Sequence, residues 1–165
     1  MTYFYKTMES PVGELKLVAG NSGLAAILWK TENPLRVRLG PVSMNRSHPI
    51  LLRTERQLND YFSGTRKSFS VKLDVDGTSF QKQVWAALMT IPFGETRSYG
   101  QIAKQIKSPK AVRAVGAAIG KNPISIITPC HRVIGSTGKL TGFAGGLETK
   151  AHLLALEEKR SGVVN

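Results

Sequence analysis

The chain has 165 residues, of which 41% are hydrophobic and 21% are charged, proportions that are usual for one folded domain or two small ones. Its 23 lysines and arginines outnumber its 11 aspartates and glutamates, which gives a formal net charge of +12 at pH 7. This composition argues against a disordered chain, and the charge favours a polyanionic partner, because basic side chains that neutralise phosphates release condensed counterions.

The same composition limits other classes of protein. An anionic membrane surface would attract the positive charge, but no segment offers the ~20 apolar residues needed to cross a bilayer, and we expect no membrane partner. The N-terminus lacks the pattern of a secretory signal. The chain's one cysteine, Cys130, excludes an internal disulfide and suits a reducing compartment, so a cytoplasmic protein is expected. The three histidines are scattered, and neither a metal nor a cofactor is predicted.

Residues 1–76 are predicted to form a small unit that combines α and β structure. Three β-prone runs separated by turn sequences come first: Tyr3–Met8, Glu14–Ala19 and Leu24–Trp29. Residues 30–47 are polar and irregular, and we expect a long loop there. The apolar spacing over His48–Phe62 predicts a helix that ends at Gly64, and the alternation of Phe69–Val75 predicts one more strand.

Residues 77–165 are predicted to form a second, helical domain. Thr78–Gln81 and Ser98–Gln101 both have the form of a capping box and therefore mark helix starts. Ser108-Pro109 predicts an N-cap and first-turn proline for a helix over Lys110–Ile119. Two short helices joined by a turn make residues 98–120 a candidate helix-turn-helix.

A last amphipathic helix is predicted over residues 147–159. The apolar and polar residues assigned to its faces follow a helical period: Leu147, Ala151, Leu154 and Glu158.

The second helix of the candidate helix-turn-helix is made almost wholly of small residues, among them Ala114, Gly116 and Ala117, with Arg113 as its one long cation. Such a surface lets a helix enter a groove of DNA and push one side chain into the base stack. An Ala/Gly-rich helix also packs closely against other helices. The sequence alone leaves both interpretations open.

Cys130 lies in the segment Pro129-Cys-His-Arg-Val133. The thiolate is the reactive form of cysteine, and a neighbouring histidine or cation favours it, although most free cysteines are simply small buried residues. In an extended segment consecutive side chains point to opposite faces, so His131 would need a turn at Cys130, or a bridging water, to take the thiol proton. A histidine base also commonly needs an orienting acid, which spacing alone does not identify.

These residues resemble the active-site signature of the O6-alkylguanine-DNA alkyltransferases. The resemblance extends through further motifs in the same order along the chain: Phe80-Gln81, Val84-Trp85, Ile91–Glu95, Ser98-Tyr99, Arg113–Gly116, Asn122-Pro123 and Gly142–Gly146. It is strong over residues 78–158 and loose over the first 77.

The resemblance implies a fold of mixed α/β (α+β) class. It consists of an N-terminal ribonuclease-H-like α/β subdomain, assigned to residues 1–76, and a C-terminal helical domain with a winged helix-turn-helix, assigned to residues 77–165. It implies that the helix-turn-helix enters the minor groove of double-stranded DNA and that an alkylated guanine, or an O4-alkylated thymine, is flipped into a pocket. The resemblance implies a monomer in solution and allows cooperative binding of several molecules on DNA.

The resemblance also assigns roles to single residues. Cys130 is the nucleophile and the irreversible acceptor of the alkyl group, His131 is its base through a water, and Glu157, rather than the neighbouring Glu158, orients the histidine. Tyr99 contacts the DNA backbone and donates a hydrogen bond to the leaving guanine.

On the DNA side, Arg113 fills the gap left by the flipped nucleotide, while Ala114, Gly116 and Ala117 face the groove. Asn122 is the hinge between the recognition helix and the cysteine segment.

The substrate pocket is assigned to four further residues: Val133, Phe143, Ala144 and Gly145. Two positions depart from the family's pattern. Phe143 stands where tyrosine is common, and Thr128 stands where valine or isoleucine is frequent. Ala144 offers only its backbone N–H to the leaving oxygen. The N-terminal part lacks the Cys and His ligands of the zinc found in some members. Two other functions stay open, a sensor that binds alkylated DNA without repairing it and a Cys-His-acid hydrolase.

Overall fold

The computed structural model describes residues 2–161. Its first unit ends at Asp76 and contains a four-stranded sheet. The strands are β1 (Tyr3–Met8), β2 (Leu15–Ala19), β3 (Leu24–Trp29) and β4 (Val42–Met44). Their order in the sheet is β3-β2-β1-β4, with β1 and β3 antiparallel to β2 and β4 parallel to β1. The strands form where β-prone runs alternate with turns.

Helix α1 (Pro49–Ser63) lies against this sheet. Its start is fixed by His48, whose side chain accepts a hydrogen bond from the backbone N–H of Ile50, and by the proline in its first turn. Its end is fixed by Gly64, which adopts the left-handed conformation with a φ of 88°. Leu51, Leu58 and Tyr61 are fully buried and form the core-facing side of the helix.

Two predictions for this unit were wrong. The supposed loop over residues 30–47 contains β4, a short edge strand whose residues are mostly exposed and therefore carry no hydrophobic alternation. Phe69–Val75 is not a strand. Only Leu73 pairs, in a single bridge with Leu24, and the backbone N–H of Ser70 donates to the side chain of Gln57 and not to a strand.

The second unit begins at Gly77 and is mainly helical. Its helices are α2 (Ser79–Leu88), α3 (Tyr99–Gln105), α4 (Val112–Gly120) and α5 (Leu147–Ser161). Two short strands, β5 (Arg97–Ser98) and β6 (Val133–Ile134), pair in parallel. Both capping boxes form as predicted, and α3 and α4 make the helix-turn-helix. Helix α2 packs against α4, where the indole N–H of Trp85 donates to the carbonyl of Ala118 at 2.8 Å.

The predicted start of α4 was wrong by two residues. Ser108-Pro109 forms a turn in which the N–H of Ala111 bonds the carbonyl of Ser108, and the helix begins at Val112 without a side-chain cap. The cause lies in the end of α3. The N–H of Ser108 is already bonded to the carbonyl of Ala103, and Lys107 has a φ of 63°, so the chain must turn again before α4 begins.

The predicted last helix is present as α5, but the residues that the sequence singled out on it are not the ones that face the core. Leu147 and Ala151 are exposed, whereas Lys150, Leu153 and Glu157 are buried. A search for apolar residues misplaces this face because two of its three buried positions carry charged side chains. Within residues 2–161, none of the helices combines the length and the apolar character required to span a bilayer.

Candidate active site and DNA-facing helix

Cys130 is the first residue of a single turn of 3-10 helix that ends at Arg132, and Cys130 itself is only 6% exposed. Its backbone N–H donates to the carbonyl of Thr128 at 2.7 Å, and that of Arg132 donates to the carbonyl of Pro129 at 3.0 Å. This is the turn that the sequence required if His131 was to act with the cysteine, because it removes the opposed side-chain directions of an extended segment.

His131 is fully buried, and its Nε2 lies 2.7 Å from Oε2 of Glu157. A carboxylate only accepts, so Nε2 carries the proton and Nδ1 keeps its lone pair. Within the described part of the chain, Nδ1 is a buried atom without a hydrogen-bond partner. Of the two acids left by the sequence, the structure places Glu157 on the histidine and leaves Glu158 exposed. The imidazole is therefore oriented as a base, because its Nδ1 lone pair remains able to accept a proton.

Arg132 holds the other side of the same carboxylate. Its Nε donates to Oε1 of Glu157 at 2.7 Å and its Nη2 donates to Oε2 at 3.0 Å, a two-point contact that fixes the plane of the carboxylate. Its Nη1 donates to the carbonyl of Ile91 at 2.7 Å. The arginine thus ties the turn at Cys130 to α5 and to the loop after α2.

These contacts shift the titration of both buried groups. Burial alone would raise the pKa of Glu157, but the hydrogen bonds and charges of His131 and Arg132 outweigh it and lower that pKa to about 2. Burial lowers the pKa of His131, and contact with Glu157 only partly opposes that shift. Near neutral pH the histidine is therefore neutral, and Arg132 balances the charge of the carboxylate.

The sequence analysis did not identify Lys150, which the structure places in the site. It is 1% exposed, and its Nζ donates to the carbonyls of Val133, at 2.6 Å, and Thr141, at 3.3 Å. Burial lowers the pKa of Lys150, and negative charge at Cys130 opposes that shift. The signal was present in the helical spacing, because Lys150 precedes Glu157 by seven residues and so shares its face of α5.

Asn122 connects α4 with the cysteine segment. Its Nδ2 donates to the carbonyl of Thr128 at 2.9 Å, its Oδ1 accepts from the N–H of Ile124 at 3.0 Å, and it is 1% exposed. The loop that it closes includes Ile126, whose φ of 74° is costly for a β-branched residue. Asn122 thus holds a strained loop that ends at the carbonyl to which Cys130 is bonded.

Tyr99 is brought next to the site by the pairing of β5 with β6, in which Ser98 lies opposite Ile134. Its hydroxyl is 2.5 Å from Oγ1 of Thr141, so the first residue of α3 is linked to the glycine-rich loop. Thr141 is the second residue that the sequence analysis missed. Its own neighbour, Lys150, bonds its carbonyl, so one residue joins Tyr99 to the buried cation.

Helix α4, which the sequence predicts to face DNA, exposes the side that was singled out. Arg113, Ala114 and Ala117 are exposed, and Gly116 is half-buried. A Cβ added at Gly116 would meet only the ring of Tyr99, at an ordinary 3.9 Å. The small size of this residue is therefore not required by packing within the unit, which favours close approach of an outside partner.

The four predicted pocket residues follow the cysteine. Val133 is fully buried, and three positions in the loop are half-buried: Phe143, Ala144 and Gly145. The N–H of Gly146 donates to the carbonyl of Phe143 at 2.9 Å and closes the loop immediately before α5. The other departure, Thr128, is 4% exposed, and its carbonyl accepts from both Asn122 and Cys130. That contact uses backbone atoms, so the change of side chain leaves it intact.

Comparison with known proteins gives a consistent result over both units. A model for the ribonuclease-like domain of 6-O-methylguanine DNA methyltransferase matches residues 3–75, and one for the DNA binding domain of the same family matches residues 79–159. The chain belongs to the 6-O-methylguanine DNA methyltransferase family. A methylated-DNA–protein-cysteine methyltransferase of Mycobacterium bovis is 50% identical over 159 residues, which cover 95% of this chain and 93% of the relative. One from Methanosarcina acetivorans is 50% identical over 155 residues, 93% and 97% of the two chains.

Solved structures of the family agree with the fold. The O6-methylguanine methyltransferase of Mycobacterium tuberculosis has a TM-score of 0.87 and 48% identity, over 98% of this chain and 96% of its own. A structure of the protein from that organism in complex with DNA also has a TM-score of 0.87, with 46% identity over 97% and 94%. The expected fold, a ribonuclease-like N-terminal domain and a DNA-binding domain with a helix-turn-helix, is confirmed. Because residues 79–159 match the DNA binding domain of the family, the chain binds DNA.

Proposed function

We propose that this protein, a DNA-repair methyltransferase, takes alkyl groups from O6 of guanine in duplex DNA and keeps them on Cys130. The observation that carries the proposal is the set of contacts made by the residues around Cys130, at the start of the 3-10 turn. The chain's one cysteine is followed by a buried histidine whose Nε2 is held by Glu157, while the buried Lys150 is bonded to the carbonyl of Val133, three residues after the cysteine.

The chemical step uses each of these groups. Nδ1 of His131 accepts the thiol proton through a water, while Nε2–H stays bonded to Glu157. The thiolate of Cys130 attacks the alkyl carbon, an S–C bond forms and the C–O6 bond breaks. The guanine leaves with the electron pair and takes a proton from the hydroxyl of Tyr99, which is reprotonated by solvent. The product is a thioether, which water does not hydrolyse, so each molecule acts once. No cofactor enters the balance.

Two cations support this step without touching the substrate. The ammonium of Lys150 favours the thiolate and holds the backbone at Val133 and Thr141. Arg132 keeps Glu157 ionised and fixes the orientation of its carboxylate plane. The carboxylate therefore orients the imidazole without taking its proton. Both are positioning residues.

On the DNA side, we place α4 in the minor groove. Ala114, Gly116 and Ala117 let its backbone approach, and the exposed Arg113 fills the space of the nucleotide that leaves the stack. Flipping is required because the alkylated oxygen is not open to in-line attack within a stacked duplex. Asn122 transmits the position of α4 to the cysteine segment.

The flipped base is assigned to the region of Val133 and the loop that contains Phe143, Ala144 and Gly145. Phe143 supplies an apolar ring without a hydroxyl, and Ala144 supplies a backbone N–H for the leaving oxygen. An O4-alkylated thymine presents the same alkyl–oxygen group and is included as a second substrate. We further propose a cytoplasmic location, where the lone thiol stays reduced, and a monomer in solution that binds DNA cooperatively. Sedimentation with and without duplex tests the last point.

Incubation with duplex DNA that carries a labelled O6-methylguanine distinguishes this function from its two rivals. Stoichiometric label on Cys130, located by mass spectrometry, is the expected result. Binding without transfer would instead identify a sensor, and release of free label would identify a hydrolase. Cys130→Ala should abolish transfer and keep DNA binding, and residual transfer in that variant would refute the assignment.

A second experiment tests base flipping separately. Arg113→Ala should lower the transfer rate on duplex DNA far more than on the free alkylated base, because only the duplex has a stack to open. Lys110→Ala, which removes an exposed cation just before α4, is the matched control. Equal losses on duplex and free base in the Arg113 variant would contradict the assigned role.

A further inference from the structure

A pocket on the N-terminal unit lies outside everything described so far. It forms where the turn between β2 and β3 meets α1 and the segment after it. Seven residues line it: Asn21, Ser22, Ile50, Arg53, Ser70, Val71 and Lys72. Two of these described residues are cations and none is acidic, although the unit as a whole carries seven carboxylates against eleven lysines and arginines.

The wall of this pocket is fixed by a close backbone approach. The N–H of Leu24 donates to the carbonyl of Lys72 at 2.8 Å, and the N–H of Asp74 donates back to the carbonyl of Leu24 at 2.8 Å. A Cβ at Gly23 would lie 2.8 Å from the carbonyl oxygen of Lys72, so only glycine allows this contact. The turn that carries Asn21 and Ser22 is therefore held against the strand-like segment that carries Lys72.

Arg53 is held in place before any ligand arrives. Its Nε donates to the carbonyl of Ser70 at 3.1 Å and its Nη2 donates to the hydroxyl of Ser70 at 3.3 Å. Ser70 is in turn held by Gln57, which bonds both its hydroxyl and its N–H at 2.9 Å and is 2% exposed. Nη1 of Arg53 donates to no described residue. An exposed arginine ordinarily loses side-chain entropy on binding, and here much of that loss has already occurred.

The second cation is equally available. Lys72 is exposed and forms no ion pair with any residue in 2–161. Lys72 and Arg53 line the same pocket as Asn21 and Ser22. A planar guanidinium and an ammonium in one pocket, together with neutral polar side chains and no carboxylate, are complementary to a phosphate dianion or a phosphodiester.

We propose that Arg53, Lys72 and the Asn21-Ser22 turn form a binding site for a phosphate group. The group belongs either to the backbone of a nucleic acid or to a free phosphorylated compound, and both present the same oxygens. The inference does not depend on the transfer chemistry at Cys130, because the two sites lie in different units of the chain.

Titration of the intact protein with inorganic phosphate, followed by two-dimensional NMR, tests the site directly. Saturable shifts are expected at the side-chain Nε–H of Arg53 and at the backbone N–H groups of Ser22 and Lys72. Lys72→Gln removes a cation without removing any hydrogen bond in the fold, and it should raise the Kd for phosphate about tenfold, which is ~1.4 kcal/mol. Arg53→Gln should do so at least as strongly.

Arg56→Gln is the matched control, since Arg56 is an exposed cation one turn further along α1 and outside the pocket. It should leave the Kd for phosphate unchanged. An equal effect in the control, or shifts that do not saturate, would overturn the proposal and leave only general charge attraction.

A second arm identifies the source of the phosphate. If DNA supplies it, Lys72→Gln should reduce the slope of log affinity for undamaged duplex against log salt concentration by about 0.9, the value for one lost phosphate contact. The Arg53 variant should give a similar loss. An unchanged slope, with phosphate binding still weakened, would assign the pocket to free phosphorylated compounds.

Discussion

Nζ of Lys150 donates a hydrogen bond to the carbonyl oxygen of Val133 at 2.6 Å, three residues along the chain from Cys130. A lysine that is 1% exposed normally has a carboxylate partner, but the hydrogen bonds of Lys150 go to backbone carbonyls. Burial lowers its pKa, and negative charge at Cys130 would oppose that shift. The buried cation therefore holds the backbone just after Cys130, and its charge is coupled to that of the thiolate.

Replacing this lysine should slow alkyl transfer. We expect Lys150→Met to lower the single-turnover rate by about 10- to 100-fold, because the thiolate of Cys130 loses a nearby cation that favours its charged form. Lys150→Arg should recover part of the rate if charge dominates. The rate of Cys130 alkylation by iodoacetamide against pH reports the thiolate directly, and it should shift to higher pH in the Met variant. Lys159→Met, on an exposed part of α5, is the control, and an equal loss there would contradict the role.

The adjacent glutamates of α5 provide a matched pair. Glu157→Gln should lower the transfer rate on the order of 10²-fold or more, because the amide neither holds the protonated Nε2 of His131 as well nor compensates Arg132. Glu158→Gln, one residue away and exposed, should leave the rate near that of the wild type. Both variants are measured on the same alkylated duplex under single-turnover conditions. Equal rates in the two would show that the buried carboxylate does not serve the base.

Acid should act on the site in a defined range of pH. The pKa of Glu157 is about 2 in the fold against an ordinary 4.5, so this carboxylate stabilises the protein fully above pH 4.5 and the contribution is lost as pH falls from 4.5 towards 2. Burial lowers the pKa of His131 from 6.5, so the unfolded chain takes up that proton first and stability begins to fall below pH 6.5.

Thermal unfolding between pH 8 and pH 3 checks this sign. The Tm should be level near neutral pH and decline below about 6.5, the ordinary value for histidine. The transfer rate should hold to lower pH than a normal histidine would allow, since the buried imidazole stays neutral longer. A variant with Glu157→Gln should show a smaller decline in Tm below pH 4.5. A Tm that rises on acidification would reverse the assignment.

Two glycines of the second unit should differ in their response to the same added methyl group. A Cβ at Gly77 would lie 2.6 Å from the ring of Trp85, which is buried and anchored through its indole N–H to Ala118. Gly77→Ala should therefore cost about 1–3 kcal/mol of unfolding free energy, as overpacking does. Gly120→Ala meets nothing within 4 Å and should be close to neutral. Denaturant unfolding followed by tryptophan fluorescence measures both. A stable Gly77 variant would show that the indole is free to move.

Local signals predicted the helices well and the N-terminal sheet only in part. Both capping boxes and the Gly64 terminus were readable because each is complete within a few residues. Strand β4 was not, because its pairing with β1 depends on a partner nearly forty residues away and its own residues are mostly exposed. Phe69–Val75 shows the reverse, since its alternation was present but its hydrogen bonds go to Leu24 and to side chains.

For the site, the sequence located Cys130 and His131 and the resemblance selected Glu157, which the structure brings onto the histidine. Lys150 and Thr141 were missed because their contacts run between segments that only the fold brings together. The core-facing side of α5 was not recognised for a related reason, because hydropathy treats a buried ion as a surface residue.

Helix α5 carries Lys150 and Glu157 on one side, two turns apart, so a single rigid rod sets both the charge beside the sulfur and the partner of the imidazole. Movement of the helix as one body displaces the two groups together. Heating should therefore abolish the reaction in one cooperative step. At no temperature should Cys130 still be ionised after His131 has lost its position.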